Sequence, residues 1–171
     1  MNINPTSELQ LINILDNAVL AWGLAACGLA QFSKLLFELI FKQSWRPAVL
    51  LETGGMPSSH SALVTGTAAG VGLQLGFDDP LFALASTIAF IVMYDASGIR
   101  RSAGLTAERV NQISKINFKE FSSENSLKES LGHTKTEVLV GSILGPTVAL
   151  PGILFIGSPL HLLQMIGLVS V

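Results

Sequence analysis

The chain has 171 residues, of which 49% are hydrophobic and only 13% charged, about half of the charge that a soluble domain carries. Ten Lys and Arg against twelve Asp and Glu leave a formal charge of −2, so no nucleic-acid partner is expected. The single cysteine, Cys27, lies inside an apolar run and excludes an internal disulfide or a cysteine metal cluster.

This composition predicts an all-α, multi-pass membrane bundle formed as a single domain over residues 1–171. No signal peptide is evident, because the first 17 residues hold Glu8 and Asp16 and no basic segment. Apolar stretches of membrane length place a first helix over 18–41, with Lys34 and Glu38 one turn apart and able to pair. A second helix is predicted over 59–77, ended by Asp78-Asp79-Pro80, and a third over 81–96, ended by Asp95 and Ser97-Gly98.

A polar stretch follows over 99–132. Within it Leu105, Val110, Ile113, Ile116 and Phe121 recur at roughly helical spacing, with Arg109, Lys115 and Lys119 elsewhere. This pattern predicts an amphipathic helix between the third and fourth spans, set on the headgroups or on the polar end of the bundle. Residues 122–126 form a loop. The last 36 residues, 136–171, are apolar but interrupted by Pro146, Pro151 and Pro159; two short helices are expected, the alternative being one long kinked helix with a tail and four spans in all. About five spans result. Small residues at four-residue spacing (Ala62, Gly66 and Gly70; Gly141 and Gly145) allow close helix packing and carry no catalytic weight.

All ten basic residues fall within 34–46 and 100–135, which five spans place on one side of the membrane. Positive charge in short loops marks the cytoplasmic face, so the polar loops, and any site in them, are expected there or on an organellar equivalent.

Two clusters carry chemistry. Gly-Gly-Met-Pro-Ser-Ser-His, residues 54–60, stands at the mouth of the second helix, where unpaired N–H groups and the helix dipole favour an anion. His60 alone at a helix start is more often a cap than a catalyst. In the second cluster, 131–137, Glu137 follows His133 by four residues, on the same helical face. A carboxylate there fixes the imidazole tautomer and raises the basicity of the far nitrogen, as a nucleophilic histidine requires. The same pair is half of a metal site, but no further ligand is evident beside it except Asp95, and no metal or other cofactor is expected. Arg100 and Arg101 lie on the same face, and a pairing of either with Asp95 is the plainer role for that acid. His161 falls toward the opposite face and is expected to be incidental.

Pro57-Ser58-Ser59-His60 resembles the second signature motif of the type 2 phosphatidic acid phosphatase superfamily, which includes lipid phosphate phosphatases and vanadium-dependent haloperoxidases. Residues 54–62, 94–101 and 131–137 are closer still to its divergent bacterial and plant branch, and the resemblance covers about 30–145. It implies a metal-independent phosphoric monoester hydrolase acting on a phosphorylated lipid in the bilayer. His133 is similar to the nucleophile that forms a phosphohistidine, Glu137 to the carboxylate that orients it, and His60 to the acid that protonates the leaving alkoxide. Arg46, with Pro47, matches the end of the first motif. Phosphate contacts are expected from Arg46, Lys42, Ser58, Ser59, Arg100 and Arg101, with Asp95 in support.

The sequence departs from the pattern at two places. Leu39 stands where the first motif has lysine, so Lys42 or Lys34 must substitute; Leu127 stands where the third motif has arginine. The second departure raises the alternative of a lipid-phosphate-binding protein of the same fold with weak or no turnover. The lipid and the oligomeric state are not legible in the sequence.

Overall fold

The computed structural model describes residues 13–45, 47–51, 54–117 and 126–168. The described chain is all-helical. Helix α1 is Ala18–Lys42, α2 is Ser59–Leu75, α3 is Pro80–Ser97, α4 is Ile99–Asn117, α5 is Lys135–Phe155 and α6 is Pro159–Met165, with a 3₁₀ turn at Pro47–Leu51. Local chemistry sets the helix starts: Asn17, Ser58, Asp79, Thr134 and Ser158 each accept a backbone N–H through the side chain at an N-cap.

Helices α1, α2, α3 and α5 form the bundle, and α2 is its centre, packed against the other three. The core is built from small residues: Ala26, Ala30 and Ala62 are fully buried, with Leu144 and Val148 packed around them. A side chain on Gly145 would run into the Ala62 carbonyl and the Thr65 hydroxyl, so α5 and α2 meet backbone to backbone there. In a bilayer this close approach, rather than apolar burial, is what holds helices together. Large apolar side chains point outward instead: Leu24, Phe32, Phe90, Ile91, Leu139 and Leu154 are all exposed on the protein alone.

Among the described residues three helices suffice, by length and composition, to cross a membrane: Ala18–Phe41, Pro80–Ile116, which runs α3 into α4, and Lys135–Phe155. The 17-residue α2 is about 25 Å long and falls just short of that length criterion. The C-terminal region differs from expectation. One 21-residue helix passes through Pro146 and Pro151, and the seven-residue α6, about 10 Å long, is too short to cross. The region therefore supplies one crossing helix, the long-helix alternative, rather than the preferred two. Prolines are tolerated inside membrane helices where hydroxyls and neighbours compensate. Beside Pro146 the Thr147 hydroxyl donates to the carbonyls of Ile143 and Leu144 at 3.1 and 2.8 Å.

The amphipathic helix also differs, starting at Ile99 rather than near Leu105, directly after Gly98. Its exposed face holds Leu105, Val110, Ile113 and Ile116, whereas Gly104, Ala107 and Asn111 are buried. Phe121 lies outside the described residues.

Candidate functional site

The end of α1, the start of α2, the end of α3 and the start of α5 meet at one end of the bundle. Two long-range backbone bonds fix them: Ser58 N–H donates to the Glu137 carbonyl at 3.1 Å, and His133 N–H to the Ala96 carbonyl at 2.9 Å. The opposite end is tied separately, by Trp22 Nε1 donating to the Gly157 carbonyl at 2.8 Å and Ser158 Oγ to Asp16 Oδ1 at 2.7 Å. His161 belongs to that far end, with Nδ1 3.1 Å from the Ile156 carbonyl.

His133 stands two residues before the first residue of α5 and is 2% exposed. Its Nδ1 lies 2.9 Å from Glu137 Oε2. Glu137 is held in turn by a capping box: Thr134 N–H donates to Oε2 at 3.2 Å, and Glu137 N–H to Thr134 Oγ1 at 3.3 Å. With Nδ1 carrying the proton toward the carboxylate, the lone pair sits on Nε2. That atom is buried and has no hydrogen-bond partner among the described residues. A buried polar atom without a partner is costly, and a group aimed at a ligand is one reason for such an atom to persist.

Burial lowers the His133 pKa from its ordinary value, and the Lys34 charge lowers it further. The hydrogen bond and charge of Glu137, with the Gly55 backbone, act in the opposite direction. Burial dominates, so the imidazole is neutral, and therefore nucleophilic, around pH 7.

His60 stands in the first turn of α2, and His60, Arg100 and His133 line one cleft of about 20 Å³ with Val92, Ala96 and Gly132. Both histidines and one arginine are thus brought together. Arg100 donates through Nε to Asp95 Oδ2, on the previous turn of α3. Arg101 turns elsewhere. It lines a cavity of about 380 Å³ on the other side of Gly132, together with Lys34, Glu38, Thr134 and Glu137. The two consecutive arginines therefore serve two neighbouring spaces.

Ser58 is fully buried as the N-cap of α2, its Oγ accepting from the Ser61 amide and hydroxyl at 3.3 and 2.9 Å. Ser59 is buried at the first position of that helix. Lys42 ends α1, without a described side chain, and Arg46 lies outside the described residues. Lys34 is 3% exposed and Glu38 4%, and both face the larger cavity. Lys34, rather than Lys42, is thus the described lysine beside Glu137. No group of three or more His, Cys, Asp and Glu among the described residues is arranged to hold a metal ion.

One structural residue gave no signal in the sequence. Asn111, 1% exposed on α4, donates to the Leu127 carbonyl and to Glu129 Oε1, both at 2.8 Å, and accepts from the Leu127 amide at 2.8 Å. This clamp lays the strand of chain before His133 along α4, where the Glu129 and Leu131 carbonyls sit against Gly104. Leu127, the position that lacks the motif arginine, is half exposed and is held through its backbone.

The family model described as the Divergent PAP2 family matches residues 15–148. The chain is also similar to YuiD, an uncharacterized membrane protein of Bacillus subtilis strain 168: 38% identical over 147 residues, which is 78% of this chain and 92% of that protein. No solved structure matches it.

Proposed function

The chain belongs to the Divergent PAP2 family, and on that premise we propose that it is a membrane phosphatase that hydrolyses a lipid phosphate monoester or diphosphate through a phosphohistidine. The observation that carries this reading is the buried imidazole of His133, tied to Glu137 at Nδ1 and unpartnered at Nε2.

In the proposed reaction Nε2 attacks phosphorus while the ester P–O bond breaks. His60, across the same cleft, gives its proton to the leaving alkoxide; the negative charge of the bound phosphate offsets the burial and the Arg100 charge that lower its pKa, and so keeps it protonated. The neutral His60 then takes a proton from water, which attacks the phosphohistidine. The P–N bond breaks, phosphate leaves, and both histidines return to their starting forms. Arg100 binds the phosphoryl oxygens, replacing part of its bond to Asp95. The apolar bundle brings an amphiphilic substrate to the site from within the bilayer. The basic segments at this end favour the cytoplasmic face for the site.

Purified protein in detergent, given phosphatidate labelled with ³²P in the headgroup, should trap an acid-labile phosphoenzyme at His133 and release phosphate, with inhibition by vanadate. His133→Ala should lose both. Phosphate release that survives His133→Ala intact would overturn the nucleophile assignment.

A second reading, binding without turnover, is favoured by one observation. The cleft between His60 and His133 has room for about one water, and the Arg100 guanidinium is already engaged by Asp95. Saturable binding of phosphatidate with no phosphate release over a broad panel of lipid phosphates would decide for it.

A further inference from the structure

The outer faces of α3 and α5 diverge beside the site to leave an open groove of about 670 Å³, within the usual size of ligand sites. Phe90, Ile91, Met93, Val138 and Leu139 make its apolar walls, and Asp95, Ser97 and Lys135 stand at its polar end. That end is two residues from His133 on α5, and the Ala96 carbonyl between Asp95 and Ser97 accepts the His133 amide. Asp95 also holds Arg100, which lines the histidine cleft, so groove and cleft are joined by one ion pair. A second apolar cavity, of about 190 Å³ around Trp22, Ile156 and Leu162, lies at the far end of the bundle and has no basic residue in its lining.

We propose that the α3–α5 groove seats one hydrocarbon chain of a phosphate-headed lipid, with Lys135 drawing the phosphate to the end nearest His133. The chemistry of the groove selects this occupant. Its walls match an alkyl chain, Lys135 is the cation among its described lining residues and stands at the site end, and the groove opens beside the exposed apolar side chains of Phe90, Ile91 and Leu139. A convex apolar helix face gives a bilayer lipid no fixed seat; this concave one, with a charge at a single end, orients it. The assignment rests on the reading of the site as one for lipid phosphates, but it does not require turnover.

The test uses full-length protein in phosphatidylcholine nanodiscs and a phosphatidate carrying a diazirine near the end of one acyl chain. After irradiation, labelled peptides are mapped by mass spectrometry. Label should concentrate on residues 90–97 and 138–142 and disappear with excess dioleoyl phosphatidate, but not with further phosphatidylcholine. Leu139→Trp should reduce it about tenfold, while Leu29→Trp, on the lipid-facing side of α1, should not. Ile91→Trp, on the facing wall, serves if Leu139→Trp does not fold. Label spread evenly over the outer faces of α1, α3 and α5, or displaced equally by phosphatidylcholine, overturns the proposal. Grooved labelling without phosphate release leaves the groove standing and removes the hydrolase reading. His133-dependent phosphate release with evenly spread label does the reverse.

Discussion

Glu137 Oε2 sits 2.9 Å from His133 Nδ1 and 3.2 Å from the Thr134 amide, so one carboxylate oxygen both orients the imidazole and closes the first turn of α5. These two duties are separable. Glu137→Gln keeps an oxygen for the amide and the imidazole but removes the charge; it should lower phosphate release by about 10–100-fold, in the range for partners that orient a functional imidazole. Thr134→Ala removes the reciprocal cap and should cost about 1 kcal/mol of stability with a smaller loss of rate. Initial rates beside thermal melting in detergent distinguish the two. Equal melting losses with equal rate losses would reduce Glu137 to a cap.

The depressed His133 pKa has a consequence for pH. Because burial lowers the folded value below the unfolded one, the unfolded chain binds the proton more readily. The stability linked to this residue is present above the ordinary imidazole value of 6.5 and is lost as pH falls below it toward the folded value. The acid limb of kcat/KM that reports His133 should accordingly lie below pH 6.5. In Glu137→Gln, which removes a charge that raises the pKa, it should move lower still. An acid limb above 6.5 that vanishes in no His133 variant would contradict this assignment.

Asn111 should control how firmly the segment before His133 is held. Asn111→Ala removes three part-buried hydrogen bonds, each contributing about 0.5–1.5 kcal/mol, two of them to the backbone of Leu127. Hydrogen exchange over 126–132 should speed up markedly while exchange in α2 stays slow. Uniform acceleration through the bundle would instead identify Asn111 as a general packing residue.

These cases show which parts of the molecule the sequence discloses. His60, His133, Glu137 and the confinement of basic residues to two windows are legible because local spacing and charge carry them. The role of Asn111 is not, since a buried polar clamp depends on a partner 16 residues away and leaves no periodicity. Lys34 reads as half of a pair within its own helix, and only the fold, which sets it around one cavity with Gly54 to Met56 and Thr134, brings it to the site. The prolines of α5 read as breaks because a water-exposed helix would end there. In the bundle, contacts with α2 and the Thr147 hydroxyl keep the helix continuous.

The glycine contacts set a limit on substitution. Gly132 has φ of +77°, and a Cβ on it would collide with the backbone of Arg100 and Arg101. Gly132→Ala combines a left-handed residue, about 1–2 kcal/mol, with overpacking of about 1–3 kcal/mol. It should therefore displace both arginines as well as His133. Loss of vanadate binding and of phosphate release together, with α-helical content retained by circular dichroism, is the expected result.

Arg100 and Arg101 give the last test, because adjacent residues of equal charge line different spaces. Arg100 shares the cleft with both histidines; Arg101 faces Lys34, Glu38 and Glu137. If phosphoryl oxygens bind at the His60–His133 cleft, Arg100→Ala should lower kcat by about 10²-fold, as for the loss of one transition-state donor. Arg100→Lys should recover little of it, since a lysine lacks the planar fork. Arg101→Ala should act more weakly and mainly on KM. Asp95→Asn frees Arg100 from its partner, and a lower KM for phosphatidate in that variant would show the ion pair competing with substrate for the same guanidinium. Equal effects of the two arginine variants on kcat would instead make the 380 Å³ cavity part of the phosphate site, with Gly132 as the wall that has to move.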